Sequence, residues 1–138
     1  MIREVVGVKR LLSIFLTVIL CFALSSCGKA DPIILPKNDD VLNISVVCDE
    51  ETVYHEDSVW IDRVISGIAE AEPTSRKSVQ DVPQVDNYIK IDFQLHGGIS
   101  TVFVYEEDGK YYVEQPYQGI YELAGVVYTL ITEPKEEK

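Results

Sequence analysis

The sequence predicts a small two-layer α+β domain, an antiparallel sheet with helices on one face and the element order ββαβββα. Three observations lead there. Apolar and polar residues alternate over residues 41–48 and again over much of 88–115, the period of two of half-buried strands. Two other stretches, around Ile61 and around Val127, place apolar residues at helical spacing instead. Short polar or glycine-containing turns separate most of the strands, so consecutive strands run antiparallel, and such a sheet buries one face under its helices.

Taken in order, Leu42, Ile44, Val46 and Cys48 fall on one face of a first strand, with Asn43 and Ser45 opposite. Cys48 is therefore expected on the core face as a buried, inert thiol. Asp49-Glu50-Glu51 is a polar turn and Thr52 to His55 a short return strand. Asp57 or Ser58 offers an N-cap, after which Trp60, Ile61, Val64, Ile65 and Ile68 form a helical stripe that must end by Pro73. Gly67 is the weak point of that helix. Pro73 to Asn87 is polar, has no apolar period, and is expected to run over the surface.

The second half is plainly β. Ile89, Ile91, Phe93 and Leu95 alternate with Tyr88, Lys90, Asp92 and Gln94. His96-Gly97-Gly98 and Glu107-Asp108-Gly109 bound the strand Ile99 to Glu106, and Lys110 to Gln115 returns. Three-residue loops at both turns would set Phe93 opposite Thr101, Ile91 opposite Phe103, Phe103 opposite Val113, Tyr105 opposite Tyr111 and Glu106 opposite Lys110. That register gives one apolar face across three strands. Leu123, Val126, Val127, Leu130 and Ile131 then form the stripe of a C-terminal helix.

Ahead of this domain stands a leader. Arg3, Lys9 and Arg10 are followed by the apolar and small-residue run Leu11 to Ala23, 13 residues long. That is the charged and hydrophobic region of an export signal and falls short of the roughly 20 apolar residues of a spanning helix. Leu24-Ser25-Ser26-Cys27 resembles the bacterial lipobox, in which the cysteine takes a diacylglyceryl group before cleavage in front of it. The expected organisation is a signal peptide over 1–26, the lipidated Cys27 and a tether over 27–40, one α+β domain over 41–132, and a charged tail over 133–138. The expected location is the outer face of the cytoplasmic membrane, where two or three acyl chains on one residue give a lasting anchor.

Charge narrows the partners. The chain carries −11, and because residues 1–26 are net basic, the exported part carries −13. Nucleic acid needs a Lys/Arg footprint and anionic lipid attracts basic segments, so neither is an expected electrostatic partner. Of three cysteines, Cys21 leaves with the signal and Cys27 is lipidated, so Cys48 alone remains and no internal disulfide can form. A domain of this size without a disulfide depends on its hydrophobic core.

Residues able to carry catalysis are sparse. His55 and His96 stand apart from one another and from cysteine, so no metal set and no cofactor is expected. The acids Asp49, Glu50, Glu51, Glu56 and Asp57 lack the central glycine and spacing of a calcium loop. No serine lies in a nucleophile-elbow setting and no glycine-rich phosphate loop is present. The richer feature is Pro116-Tyr117-Gln118-Gly119-Ile120-Tyr121, since exposed aromatic, hydrogen-bonding tips are enriched at interfaces. Tyr117, Gln118, Tyr121 and Arg76 are the candidate interaction residues.

Thr74-Ser75-Arg76, Ser78-Val79, Asp81-Val82-Pro83, Tyr88-Ile89-Lys90-Ile91, Thr101 to Tyr105, Asp108-Gly109-Lys110-Tyr111-Tyr112 and Glu114 to Tyr121 together resemble small lipoproteins of Gram-positive bacteria, the domain-of-unknown-function family 5301. The resemblance covers about the last two thirds of the exported chain. It implies location and domain identity and carries no activity or catalytic residue. The expected role is thus a lipid-tethered binding or accessory module for a protein or peptide of the cell envelope. Its rivals are an envelope hydrolase built on His96 and a carboxylate, and an inhibitor or sensor that pairs a sheet edge with a partner strand.

Overall fold

The architecture follows from a computed structural model that describes residues 7–10 and 31–133. The apolar leader run, Leu24, Ser25, Ser26, Cys27 and the tail beyond Glu133 lie outside the described residues. Seven strands form a single antiparallel sheet: β1 (Val41–Cys48), β2 (Glu51–His55), β3 (Glu72–Pro73), β4 (Ile89–Leu95), β5 (Gly98–Glu107), β6 (Lys110–Gln115) and β7 (Gly119–Leu123). Their spatial order is β2-β1-β4-β5-β6-β7-β3. Helices α1 (Ser58–Ala69) and α2 (Gly125–Thr132) share one hydrophobic core with the sheet, so the α+β class holds.

Local chemistry sets the ends of α1. Asp57 is its N-cap, the carboxylate accepting from the Trp60 N–H at 2.7 Å. Ile61, Val64, Ile65 and Ile68 are the buried stripe. They meet Ile44, Val46, Ile91, Phe93, Val104 and Val113 from the sheet. Gly67 sits where the helices touch: a Cβ there would lie 2.7 and 2.9 Å from the two methyls of Val127.

The register differs from the expected one by a single residue. Leu95 pairs with Gly98 and Glu107 with Lys110, so both hairpins close with two-residue loops. Asp108 and Gly109 both take positive φ, 53° and 75°, the pattern of the two-residue hairpin turn whose twist matches the strands. Phe93 therefore faces Ser100, Ile91 faces Val102, Phe103 faces Glu114 and Tyr105 faces Tyr112. The one-residue slip sends Phe103 and Tyr105 to the face away from the helices. All of Val102, Phe103, Val104 and Tyr105 are buried, so the sheet is covered on both sides there, and alternation could not reveal which side was which. Lys110 forms its ion pair with Glu122 at 3.1 Å and not with Glu106.

Three further expectations are corrected. The sheet has two strands beyond those expected, β3 and β7: Leu123 belongs to β7, opposite Tyr111, and is buried there, while within α2 Val126 is 75% exposed and Val127 and Ile131 are the buried residues. Leu123 satisfied helical spacing by coincidence, while Val113 and Tyr121 paired across the sheet decided the matter. Cys48 has the parity of the core face, yet it is exposed because it ends β1 at the sheet's rim. The stretch from Asp31, expected to be free tether, is docked: Ile33 and Leu35 pack on the core, and the Gln115 amide both accepts from Ile34 N–H at 2.9 Å and donates to its carbonyl at 2.6 Å.

Candidate interaction surface

The long connection between β3 and β4 is a strap across the helix-free face of the sheet. It starts as an extension of the β3–β7 pairing, with Thr74 N–H donating to Ile120 O at 3.0 Å and Ile120 N–H donating to Arg76 O at 3.4 Å. The Thr74 hydroxyl also donates to Ile120 O at 2.6 Å and accepts from Arg76 N–H at 3.1 Å, which turns the chain over the strands. At the strap's far end, Tyr88 sets its ring edge-on to Phe103 with centroids 5.2 Å apart.

Glu114 holds the middle of the strap. Its parity on β6 is that of Tyr112, the helix-free face, and the strap buries it. The Ser78 hydroxyl donates to one carboxylate oxygen at 2.7 Å and the Tyr105 hydroxyl to the other at 3.2 Å. A buried carboxylate is tolerable only when so satisfied, and losing either donor is costly. Burial foremost, and then the Glu114 charge, hold the Tyr105 phenol above its ordinary pKa. Beside this cluster the Arg76 guanidinium lies 5.3 Å over the Tyr112 ring and pairs with Glu107 at 2.5 Å. A cavity of about 340 Å³ opens between strap and sheet, lined by Arg76, Gln80, Gln84, Val85, Tyr105 and Glu114.

Tyr117 joins the strap from the β6–β7 loop. Gln118 N–H donates to Gln115 O, Pro116 fixes the first central position, and Tyr117 takes φ 61° at the second, as in a type II turn. That conformation suits glycine and is uncommon for a bulky residue. The Tyr117 hydroxyl reaches Asp81 of the strap at 2.7 Å, and donating to that carboxylate holds the phenol above its usual pKa.

Of the candidate interaction residues, Arg76 belongs to the strap and pairs with Glu107 of β5, Tyr117 bonds to the strap at Asp81, and Gln118 is exposed beside Tyr117. Tyr121 is removed from the surface: it is fully buried on the helix side, its hydroxyl donating to Asp31 O at 2.7 Å. Tyr121 lies on β7 opposite Val113 on the core face, whereas Tyr117 and Gln118 lie in the turn that precedes the strand. His55 is buried and stacks on Trp60 with centroids 3.7 Å apart, tying the end of β2 to the start of α1. His96 is exposed in the β4–β5 turn and lines none of the cavities described here. Among the described residues no group of three or more His, Cys, Asp or Glu gathers at metal-binding distance. Likewise, no helix among them is long and apolar enough to cross a membrane.

Sequence reasoning missed Ser78, Tyr105 and Glu114 as a unit. The usable signal was a glutamate inside an otherwise apolar and aromatic strand, which needs a partner if it is buried.

A seven-strand antiparallel sheet with two helices on one face and a strap on the other defines a small α+β domain class. Within it, the profile of domain-of-unknown-function family 5301, described as "Domain of unknown function (DUF5300)", matches residues 29–122, and the chain belongs to that family. The chain is also similar to a solved structure titled "NMR structure of the protein from Ruminococcus gnavus", with 39% identity and a TM-score of 0.59. That likeness covers 70% of this chain and 92% of the other. No curated protein matches.

Proposed function

We infer that this protein is a lipid-anchored binding module of the cell envelope, held through Cys27, which captures a protein or peptide on the surface formed by the strap and Tyr117. The supporting observation is that two features distant in sequence meet there: Tyr117, strained and 63% exposed, donates to Asp81 of a strap that also exposes Val79 and Val82. Backbone strain at an exposed aromatic, kept in place by a second segment, is the arrangement of a presented recognition residue. The polar groups beneath it hold one another. Ser78 and Tyr105 donate to Glu114, so their hydroxyls act as a clamp on the strap.

The test is crosslinking in intact cells with the full-length lipoprotein, comparing it with Tyr117→Ala and Val79→Ser, both on exposed side chains. Loss of the captured species in both variants, with unchanged folding, supports the reading. Capture that is unaltered in both removes this surface from consideration. The anchor has its own test: Cys27→Ser should release the protein from membranes or leave it unprocessed, and normal processing with full membrane retention would contradict it.

A further inference from the structure

The other end of the sheet carries a second site, independent of the strap. Among the described residues β2 is the outermost strand and pairs on one side alone, with β1. An outermost antiparallel strand turns the N–H and C=O of alternate residues outward, where they can template another strand. Natural edges are usually blunted, but Val53 and Tyr54 are 43% and 66% exposed in the middle of this one.

A cavity lies beside that edge on its helix side. Val53 pairs with Val46 and Glu51 with Cys48, so Val53 and Glu51 point to the face that carries α1 and α2. There a cavity of about 300 Å³ is floored by Val46, Val53, Ile89 and Ile131 and rimmed by Glu51 and Glu133. A strand added to β2 would place every second side chain on that face, beside an apolar floor with carboxylates at its mouth. Backbone pairing supplies affinity in such complexes and the pocket for alternate side chains supplies specificity.

Charge decides the occupant. Residues 41–62 contain six acids, Asp49, Glu50, Glu51, Glu56, Asp57 and Asp62, and no Lys or Arg. Five of them flank or begin β2. A second copy of the same edge would bring like charges face to face across the new pair, which is unfavourable. A basic strand would be attracted instead.

We propose that the outer edge of β2 binds an extended peptide segment as an eighth strand, with one apolar side chain seated in the cavity between Val53 and Ile131 and a Lys or Arg two residues to either side of it on the same face. Those basic residues share the face of Glu51 and Glu133 and meet them at the mouth of the cavity.

The experiment is amide hydrogen exchange on the full chain in detergent micelles, with and without a short synthetic peptide in which a Val has a Lys two residues before it and two residues after it. At a peptide concentration about ten times its Kd, exposed amides that become bonded should slow by about tenfold. Slowing in Glu51–His55, lost when alternate peptide nitrogens are methylated and weakened by the surface variant Glu51→Gln/Glu133→Gln, supports the proposal. It is overturned by no slowing, by equal slowing with a Glu/Val peptide, or by equal slowing with the methylated peptide. Protection of the outward-facing amides of β2 before any peptide is added also overturns it: if lost on dilution it shows a second copy, and if constant it shows another segment of the same chain. Slowing confined to residues 74–87 would overturn the edge site while favouring the strap surface. Protection at β2 together with unaltered envelope capture by Tyr117→Ala and Val79→Ser would do the reverse.

Discussion

Gly67→Ala should destabilise the protein, although alanine is the better helix former. In an exposed helix interior the exchange would gain about 0.8–1 kcal/mol. Here the new Cβ would stand 2.7 and 2.9 Å from the methyls of Val127, against an optimal carbon–carbon separation of about 3.5–4.0 Å. Valine is branched at Cβ and nearly fixed at χ1 in a helix, so its methyls cannot swing aside. Overpacking of this kind costs about 1–3 kcal/mol. The net effect is a loss of about 1 kcal/mol, or a melting-temperature drop of roughly 4–8 °C for a domain of about 100 residues.

Val127→Ala alone removes two methyls at about 0.8 kcal/mol each, with a further term for the space left behind. In that background the clash is gone, so Gly67→Ala should now stabilise by about 0.8–1 kcal/mol. The sign of one substitution thus reverses with its neighbour, a coupling of about 1–3 kcal/mol. Urea unfolding of the four proteins measures it. If Gly67→Ala raised stability equally in both backgrounds, the two helices would not meet at Gly67, and the packing of α1 on α2 described above would be wrong.

Three other outcomes are expected. Tyr117→Gly removes a side chain from the left-handed region and should raise the unfolding free energy by about 1 kcal/mol, whereas Tyr117→Ala, which keeps a Cβ, should not; equal effects would show that φ at this position is unstrained. Gln115→Ala removes both bonds to Ile34, and amide exchange should accelerate in residues 31–36 while the strands keep their protection. Stability should fall above pH 10, because the folded state raises the pKa of Tyr105 through burial and the Glu114 carboxylate, so the unfolded chain loses that proton first. The contribution is complete below the ordinary phenol pKa and disappears as pH rises toward the folded value. Tyr121 and Tyr128 are raised as well, so Tyr105→Phe should reduce the alkaline slope without abolishing it.

Much of the fold is legible in the residues alone, for reasons that are local. Asp57 caps α1 because a carboxylate before an apolar stripe satisfies a free N–H, and that needs nothing beyond the adjacent turn. Ile44, Val46, Ile89, Ile91 and Phe93 alternate because one side of their strands meets the helices. The α+β class follows from the same local patterns, and the family resemblance from particular residue runs such as Asp108 to Tyr112 and Glu114 to Tyr121. The proposed leader and the proposed lipidation of Cys27 rest on composition and spacing along the chain.

Tertiary structure decided what depends on contacts between distant residues. Two-residue hairpin loops put Phe103 and Tyr105 on the helix-free face, where the strap covers them. The strap's path follows from Ser78 finding Glu114, 36 positions away, and nothing local to either residue specifies that pairing. Tyr117 and Tyr121 look equivalent in sequence, but one is strained and exposed and the other is fully buried beneath the segment that begins at Asp31. Cys48 has the right parity for the core yet is exposed at the end of β1, because parity fixes a face and not what covers it. Periodicity assigns a side chain to a face; what lies over that face is set by the rest of the chain.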